Sequence, residues 1–230
     1  MGERPRRDVA AWRREYEDRG LADSDLGTEP MTAFARWLSD AQSAGLHEPN
    51  AMVVATVDRR APSARMVLLK TVDERGFVFY TNYHSRKSGE LAVNAACALV
   101  FPWHSLARQV RVEGVAEQVS PTESDAYFAT RPRAAQIGAW ASPQSEPVPD
   151  REFLQARYQH ELDRFEGCDA VPRQPHWGGI LVRPHTIEFW QGRPGRLHDR
   201  LRFERVDGRA GSQADVTQPG GAWALERLAP

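Results

Sequence analysis

Between Ala51 and Thr81 the chain reads as three short β-type segments joined by tight turns, and this constrains the fold more than any other feature. Ala51–Val57 is apolar and partly β-branched. Residues 58–61 carry a turn signal, 63–72 resume in extended style, and 73–76 form a second turn before 77–81. Connections this short leave no room for the crossover helix that a parallel pair needs. The spacing therefore predicts an antiparallel meander and excludes a doubly wound βαβ architecture.

Helices surround this β region. Met31, Phe34, Leu38 and Ala41 recur at helical spacing, with Trp37 widening the apolar face and Gly45 marking the exit. A short helix is expected over 85–94, then strands over 97–103 and 109–119, the latter alternating Val110 and Val112 with polar neighbours. Ser120, Pro121 and Glu123 give an N-cap, a Pro at N1 and the acid of a capping box for a helix through Arg131. A helix over 133–141 follows. Asp150 caps a longer one with Leu154, Tyr158, Leu162 and Phe165 on one face. The last third returns to strands at 178–183, 186–191, 196–205 and 222–227, with a Gly-rich hairpin loop over 206–221. The expected organisation is an N-terminal arm over 1–28 and one β-rich domain with peripheral helices over 29–230.

At 230 residues the chain can bury a core without disulfides or a structural metal. Thirty basic residues balance thirty-one acidic ones, so no global charge draws the chain to nucleic acid or to an anionic membrane. Of the thirty, twenty-eight are arginine, and the two lysines are Lys70 and Lys87. Cys97 and Cys168 stand far apart, and the seven histidines show no repeated ligand spacing, so no metal site is expected. The N-terminus lacks the apolar run of a secretory signal, and no segment is long enough to span a bilayer. A cytoplasmic location is the expectation.

Phosphate-loop, dinucleotide-fingerprint, zinc-protease and nucleophile-elbow motifs are all missing from the sequence. Three other segments carry chemistry. In 65–70 (RMVLLK), a strand would put Met66, Leu68 and Lys70 on one face and Arg65, Val67 and Leu69 on the other. Lys70 there either snorkels at a strand end or meets an anion. In 80–87, Tyr80 and Thr81 end a strand, and Arg86 and Lys87 open a helix. That arrangement suits a phosphate group or is a solvated helix start. In 196–200 (RLHDR), a strand would point Arg196, His198 and Arg200 one way, towards an anionic ligand or as a charged edge strand. Tyr127 with Arg131, and Gln144 with Ser145, are weaker candidates.

Taken together, RMVLLK (65–70), FVFYTN (77–82), SRK (85–87), FPW (101–103), RQVRVEG (108–114), QIGAW (136–140), WGG (177–179), EFWQG (188–192), RLHDR (196–200) and RLAP (227–230) form an ordered set. The set resembles the FMN-dependent pyridoxine (pyridoxamine) 5′-phosphate oxidase family, from about Arg13 to Pro230. The resemblance implies a split β-barrel homodimer holding FMN at the subunit interface. It implies oxidation of pyridoxine or pyridoxamine 5′-phosphate to pyridoxal 5′-phosphate, with O2 as acceptor. Position by position, it implies FMN contacts at Arg65, Met66, Val67, Leu68, Leu69, Lys70, Tyr80, Thr81, Arg86, Lys87, Gln109, Gln144, Ser145, Trp190 and Arg200. Substrate contacts would be Arg13, Arg14, Tyr16, Lys70, Tyr127, Arg131, Ala135, Arg196 and His198, with Arg196 and His198 as the candidate catalytic pair. Ala135 stands where the family usually has a serine. Rival readings are another split-barrel flavin- or deazaflavin-dependent reductase, and a non-catalytic FMN- or pyridoxal-phosphate-binding protein.

Overall fold

A computed structural model describes residues 9, 12, 15–17, 19–206 and 222–230. Arg13, Arg14 and nearly all of the loop expected over 206–221 lie outside the described residues. The chain opens with α1 (Asp23–Leu26) and α2 (Pro30–Ser43). The sheet then begins with β1 (Ala51–Val57), β2 (Pro62–Leu68), β3 (Thr71–Asp73) and β4 (Gly76–Asn82). After α3 (Arg86–Val93) come β5 (Ala96–Trp103) and β6 (Arg108–Gln118). Next are α4 (Pro121–Thr130), α5 (Arg133–Ala141) and α6 (Arg151–Arg164), and finally β7 (Trp177–Gln191), β8 (Asp199–Arg205) and β9 (Trp223–Leu228).

Every strand pairing is antiparallel, as the short turns require. The β1–β2 hairpin closes where the Asp58 carboxylate accepts from the amides of Arg60 (2.7 Å) and Ala61 (3.2 Å), an Asx turn. The main sheet path runs β2-β1-β5-β6-β7-β4-β3. Its two ends, β2 and β3, are consecutive in the chain and separated only by Leu69 and Lys70. Two residues span only about 7 Å, so a seven-strand path with its ends joined this way must curl on itself. This curled sheet with flanking helices is the mainly β, split-barrel fold.

The crossing at Leu69 corrects the expectation of one extended run over 63–72. Leu69 exchanges hydrogen bonds with Asn50, its N–H donating to the Asn50 carbonyl (2.9 Å) and its own carbonyl accepting from Asn50 Nδ2 (3.0 Å). The next amide, that of Lys70, donates to Val78 O (2.8 Å), on the other edge of the path. The backbone changes partner here, and the strand breaks for that reason.

β7 carries the second correction. In place of two strands over 178–183 and 186–191, one strand of 15 residues runs through Pro184. Pro184 faces Gly114 where the β6–β7 register shifts, so the N–H it lacks falls at a bulge and not within a regular ladder. One edge of β7 pairs with β6. The other edge is divided, with its first part on β4 and its last part on β8.

The core fills the curl. Phe34 of α2 meets Phe77 and Phe101 edge-on, with both centroids at 4.8 Å, and Trp37 meets Phe189 at 5.1 Å. Met52, Val54, Leu99, Val110, Val112 and Phe203 complete it. Leu21 and Leu26, from the N-terminal segment, are also buried in this cluster. A second cluster, Phe128, Ile137, Phe165, Val171 and Trp177, seats α4, α5 and α6 against the start of β7. Ser120 caps α4 as expected, accepting from the Glu123 amide (3.1 Å), while the Glu123 carboxylate takes Arg75 instead of returning to the cap. Asp150 caps α6 (2.7 Å). The inward face of α6 uses Leu154, Tyr158, Glu161 and Phe165, and Leu162 is exposed, contrary to the expected stripe.

Candidate active site

A cleft of about 590 Å³ opens where the barrel closes on itself. β2 and the crossing supply Arg65, Met66, Val67, Leu68 and Lys70, and β4 supplies Tyr80 and Thr81. Lys87 comes from the first turn of α3. The α4–α5 region gives Tyr127, Thr130, Arg131, Pro132 and Ala135, the loop after α5 gives Gln144 and Ser145, and β7 gives Trp177. Leu69, expected among the flavin contacts, turns its side chain into the core and does not line the cleft, its N–H and C=O both being taken by Asn50.

The cleft is cationic and short of counter-ions. Lys87 is buried, and its Nζ donates to Ser85 Oγ (3.1 Å) and Gln144 Oε1 (3.2 Å). Among the described residues no carboxylate pairs with it. Burial, with Arg65 nearby, pushes its pKa down to about 8. Gln144 Oε1 also accepts from Thr81 Oγ1 (3.0 Å), so this amide ties the α5 loop to β4 and to Lys87. Arg65 is held from behind. Its guanidinium donates to Thr56, Ser63 and the buried carboxylate of Glu90 (3.1 Å). Glu90 also accepts from Thr56 Oγ1 (2.5 Å), Ser63 Oγ (2.6 Å) and Arg86 Nε (2.8 Å), and these bonds hold its pKa down at about 2. Arg86, largely exposed, thus lies behind the cleft in an i,i+4 pair with Glu90 and is not part of its lining.

Arg131, also in the lining, lies over the Trp177 ring (4.6 Å), and its Nη1 is buried with no hydrogen-bond partner among the described residues. Burial lowers its proton affinity. A buried guanidinium nitrogen with no acceptor costs desolvation energy that a bound anion recovers. Tyr80 and Tyr127 stack at 3.7 Å, with Trp177 parallel to Tyr127 at 6.2 Å. Burial raises Tyr80 to about 12, so its hydroxyl stays a donor. The residues present therefore fit two anionic groups, one at Lys87 and Arg65 and one at Arg131 and Lys70, with planar rings along the cleft.

The remaining candidates form a separate group. Gln109 of β6, Trp190 of β7 and Arg200 of β8 face one another in register across three adjacent strands. Arg200 is fixed by a two-pronged bond to Glu188 (2.8 and 3.0 Å) and by the Ala229 carbonyl (2.9 Å). Tyr16 meets Trp190 (5.8 Å) and His198 (5.7 Å) edge-on, and a side chain at Gly192 would collide with its ring. His198 Nδ1 accepts from the Arg193 amide (3.1 Å), so the neutral ring carries its proton on Nε2 and presents a donor outwards. The expected alternation of Arg196, His198 and Arg200 on one strand does not form. Pro194–Arg196 is a 3₁₀ turn with Gly195 and Arg196 at positive φ, and β8 begins only at Asp199. Arg196 is instead exposed on that turn.

None of Gln109, Trp190, Arg196, His198 or Arg200 lines the cleft. Sequence reading also overlooked Glu90 and Trp177 as parts of the site. The i,i+4 spacing of Arg86 and Glu90 was the available signal for the first. For the second the signal was its place in the WGG segment (177–179), although its contact with Arg131 is tertiary and cannot be read from spacing.

Two family models match the chain. One, pyridoxamine 5′-phosphate oxidase, covers residues 38–163, and the other, the pyridoxine 5′-phosphate oxidase C-terminal dimerisation region, covers residues 177–230. A pyridoxine/pyridoxamine 5′-phosphate oxidase of Rubrobacter xylanophilus is 59% identical over 89% of this chain and 94% of its own. The crystal structure of PhzG from Burkholderia lata, in complex with tetrahydrophenazine-1-carboxylic acid, is 31% identical. It superposes with a TM-score of 0.80 over 92% of this chain and 98% of that one. A pyridoxamine 5′-phosphate oxidase-related, FMN-binding protein of Nostoc punctiforme shares the fold, with TM-score 0.65 at 17% identity over 92% of this chain and all of that one. The chain belongs to the pyridoxamine 5′-phosphate oxidase family of enzymes.

Proposed function

We propose that this chain is an FMN-dependent oxidase converting pyridoxine 5′-phosphate and pyridoxamine 5′-phosphate to pyridoxal 5′-phosphate. The observation that carries this reading is the two-ended cationic cleft. Lys87 without a carboxylate and Arg131 with an unpartnered buried nitrogen provide for two phosphates in one site. The 59% identical relative supports the same assignment. Bound FMN would supply the two-electron oxidation at the substrate's 4′ carbon, with O2 as the final acceptor and H2O2 as its product. With the amine, water replaces the nitrogen and ammonia leaves.

The protein binds and orients. Arg65 and Lys87 would hold the flavin phosphate, with Thr81, Gln144 and Ser145 alongside. Lys70, Tyr127 and Arg131 would hold the substrate phosphate, whose binding energy positions the reacting carbon. Ala135 lines the same end without a hydroxyl to donate. Arg196 and the Nε2–H of His198 would address the polar substituents of the pyridine ring, and Tyr16 would cover them.

We infer that a second copy brings these two groups together. Trp177 in the cleft and Trp190 in the other group lie on the same strand, about 40 Å apart along it. A homodimer in which the cleft of one subunit faces the Gln109–Trp190–Arg200 row of its partner completes each site. The match to a C-terminal dimerisation region over residues 177–230 supports that assembly.

Anaerobic addition of pyridoxine 5′-phosphate to the purified yellow protein should bleach the flavin band, and air should restore it with aldehyde formation. A protein that binds no flavin, or a flavin that stays oxidised throughout, rules the reading out. Bleaching by a dihydroaromatic carboxylic acid but not by the phosphate ester would favour a PhzG-like substrate.

A further inference from the structure

The Asp199 carboxylate joins three stretches of chain that are remote in sequence. Its Oδ2 accepts from the Leu21 amide (2.9 Å) and from Arg193 Nη1 (3.2 Å), and its Oδ1 accepts from Arg227 Nη1 (2.5 Å). The other arm of Arg227 donates to the Leu21 carbonyl (2.9 Å) and to Asp23 Oδ1 (2.7 Å). Leu21 is therefore gripped at both its N–H and its C=O, which are the only backbone groups it has to offer. The Asp199 side chain is 15% exposed, so its bonds to Leu21 and Arg193 are partly shielded, while Arg227 approaches from the solvent side at 43% exposure.

Both sides of this joint lead to the proposed chemistry. Immediately before Asp199 stands His198, whose Nδ1 is fixed by the same Arg193 that contacts Asp199 through its side chain. Immediately before Leu21 stands Gly20, at φ +58, where a Cβ would come within 2.9 Å of Arg193 Nη1. The chain turns there against Arg193 and leads back to Tyr16, which packs on Trp190 and His198. Arg227 closes the joint from β9.

We propose that Asp199 is a positioning residue: it anchors the N-terminal segment over His198 and fixes the turn that carries Arg196, so the substrate-covering segment and the catalytic turn move as one. This rests on the oxidase reading above. It differs from a direct contact role, because both Asp199 oxygens are engaged within the protein, by Leu21 and Arg193 at Oδ2 and by Arg227 at Oδ1.

The test uses the full-length flavin-loaded protein and three substitutions. Asp199→Ala should speed amide hydrogen exchange at Leu21 at least tenfold and raise KM for pyridoxine 5′-phosphate about tenfold, with bound flavin unchanged. Asp199→Asn keeps an oxygen for the Leu21 amide but loses the charge facing Arg193 and Arg227, and should fall between the two. Asp23→Ala, on the exposed α1, frees one arm of Arg227 without touching the turn and should move exchange and KM in the same direction by less. Exchange and KM equal to the unaltered chain in Asp199→Ala would overturn the proposal. So would loss of flavin and of protection throughout the barrel in both Asp199 variants, which marks a merely structural role. If Asp199→Ala does not fold, raised Leu21 exchange with unchanged KM in Asp23→Ala overturns it. An unaltered chain that fails to oxidise pyridoxine 5′-phosphate defeats the oxidase reading instead, and the Leu21 exchange still decides the anchor.

Discussion

Trp177 and Trp190 stand thirteen residues apart on one continuous strand, the first under Arg131 in the cleft and the second between Gln109 and Arg200 in the sheet. That is about 40 Å of strand path, and Trp190 does not line the cleft that Trp177 lines.

Lys87 gives the flavin half a pH dependence. In the protein without ligand its pKa is pushed down to about 8, so the ammonium is lost as pH rises through that value. A phosphate dianion favours the charged form, so FMN affinity of the apoprotein should be greatest near pH 7, above the phosphate's own second pKa of about 6. Above pH 8 it should weaken up to about tenfold per pH unit. Fluorescence quenching titrations from pH 6 to 9.5 measure it. An affinity flat to pH 9.5 would show that the Lys87 ammonium is not what meets the phosphate.

Glu90 governs acid stability. Its folded pKa of about 2 lies below the ordinary value of 4.5, so its stabilising contribution is complete above pH 4.5 and is lost as pH falls towards 2. The shift corresponds to roughly 3 kcal/mol at neutral pH. Glu90→Gln should lower the urea midpoint at pH 7 and flatten the stability profile between pH 4.5 and 2. An unchanged slope in that window contradicts the assignment.

Arg131 and Arg196 should separate binding from turnover. Removing a charged hydrogen-bond partner of a phosphate costs about 1.5–3 kcal/mol. Arg131→Ala should therefore raise KM for pyridoxine 5′-phosphate ten- to a hundredfold, with flavin content unchanged. Arg196→Ala should instead lower kcat steeply, again at full flavin occupancy. Steady-state kinetics with flavin absorbance on the same samples decide both, and flavin loss in either variant would show the residue misplaced.

Much of this was legible in the sequence because it is local. β1 and the capped starts of α4 and α6 follow from side-chain type and spacing. The failures are tertiary. Nothing in RMVLLK announces that Leu69 leaves one edge of the sheet for the other, because no Gly or Pro marks the break. Pro184 reads as the end of a strand, yet it passes through at a bulge that depends on Gly114 of another strand. The RLHDR segment alternates like a strand, but Pro194 and Gly195 turn Arg196 away from that face. For the site, ordered motifs pointed to the cleft residues. The division into two groups could not be read, because it depends on the full length of β7.

If each site takes its cleft from one subunit and its Arg196–His198 turn from the other, subunit complementation should restore activity to two damaged chains. Assayed with pyridoxine 5′-phosphate well below the raised KM of Arg131→Ala, the Arg131→Ala and Arg196→Ala homodimers should each be nearly inactive. Co-expression with random assortment should recover about a quarter of full activity, because half the dimers are mixed and each mixed dimer has one undamaged site. Recovery near that value in the mixture, and near half of full activity in mixed dimers isolated by two different tags, is the predicted result. Mixed dimers no more active than either parent would contradict a site shared between subunits.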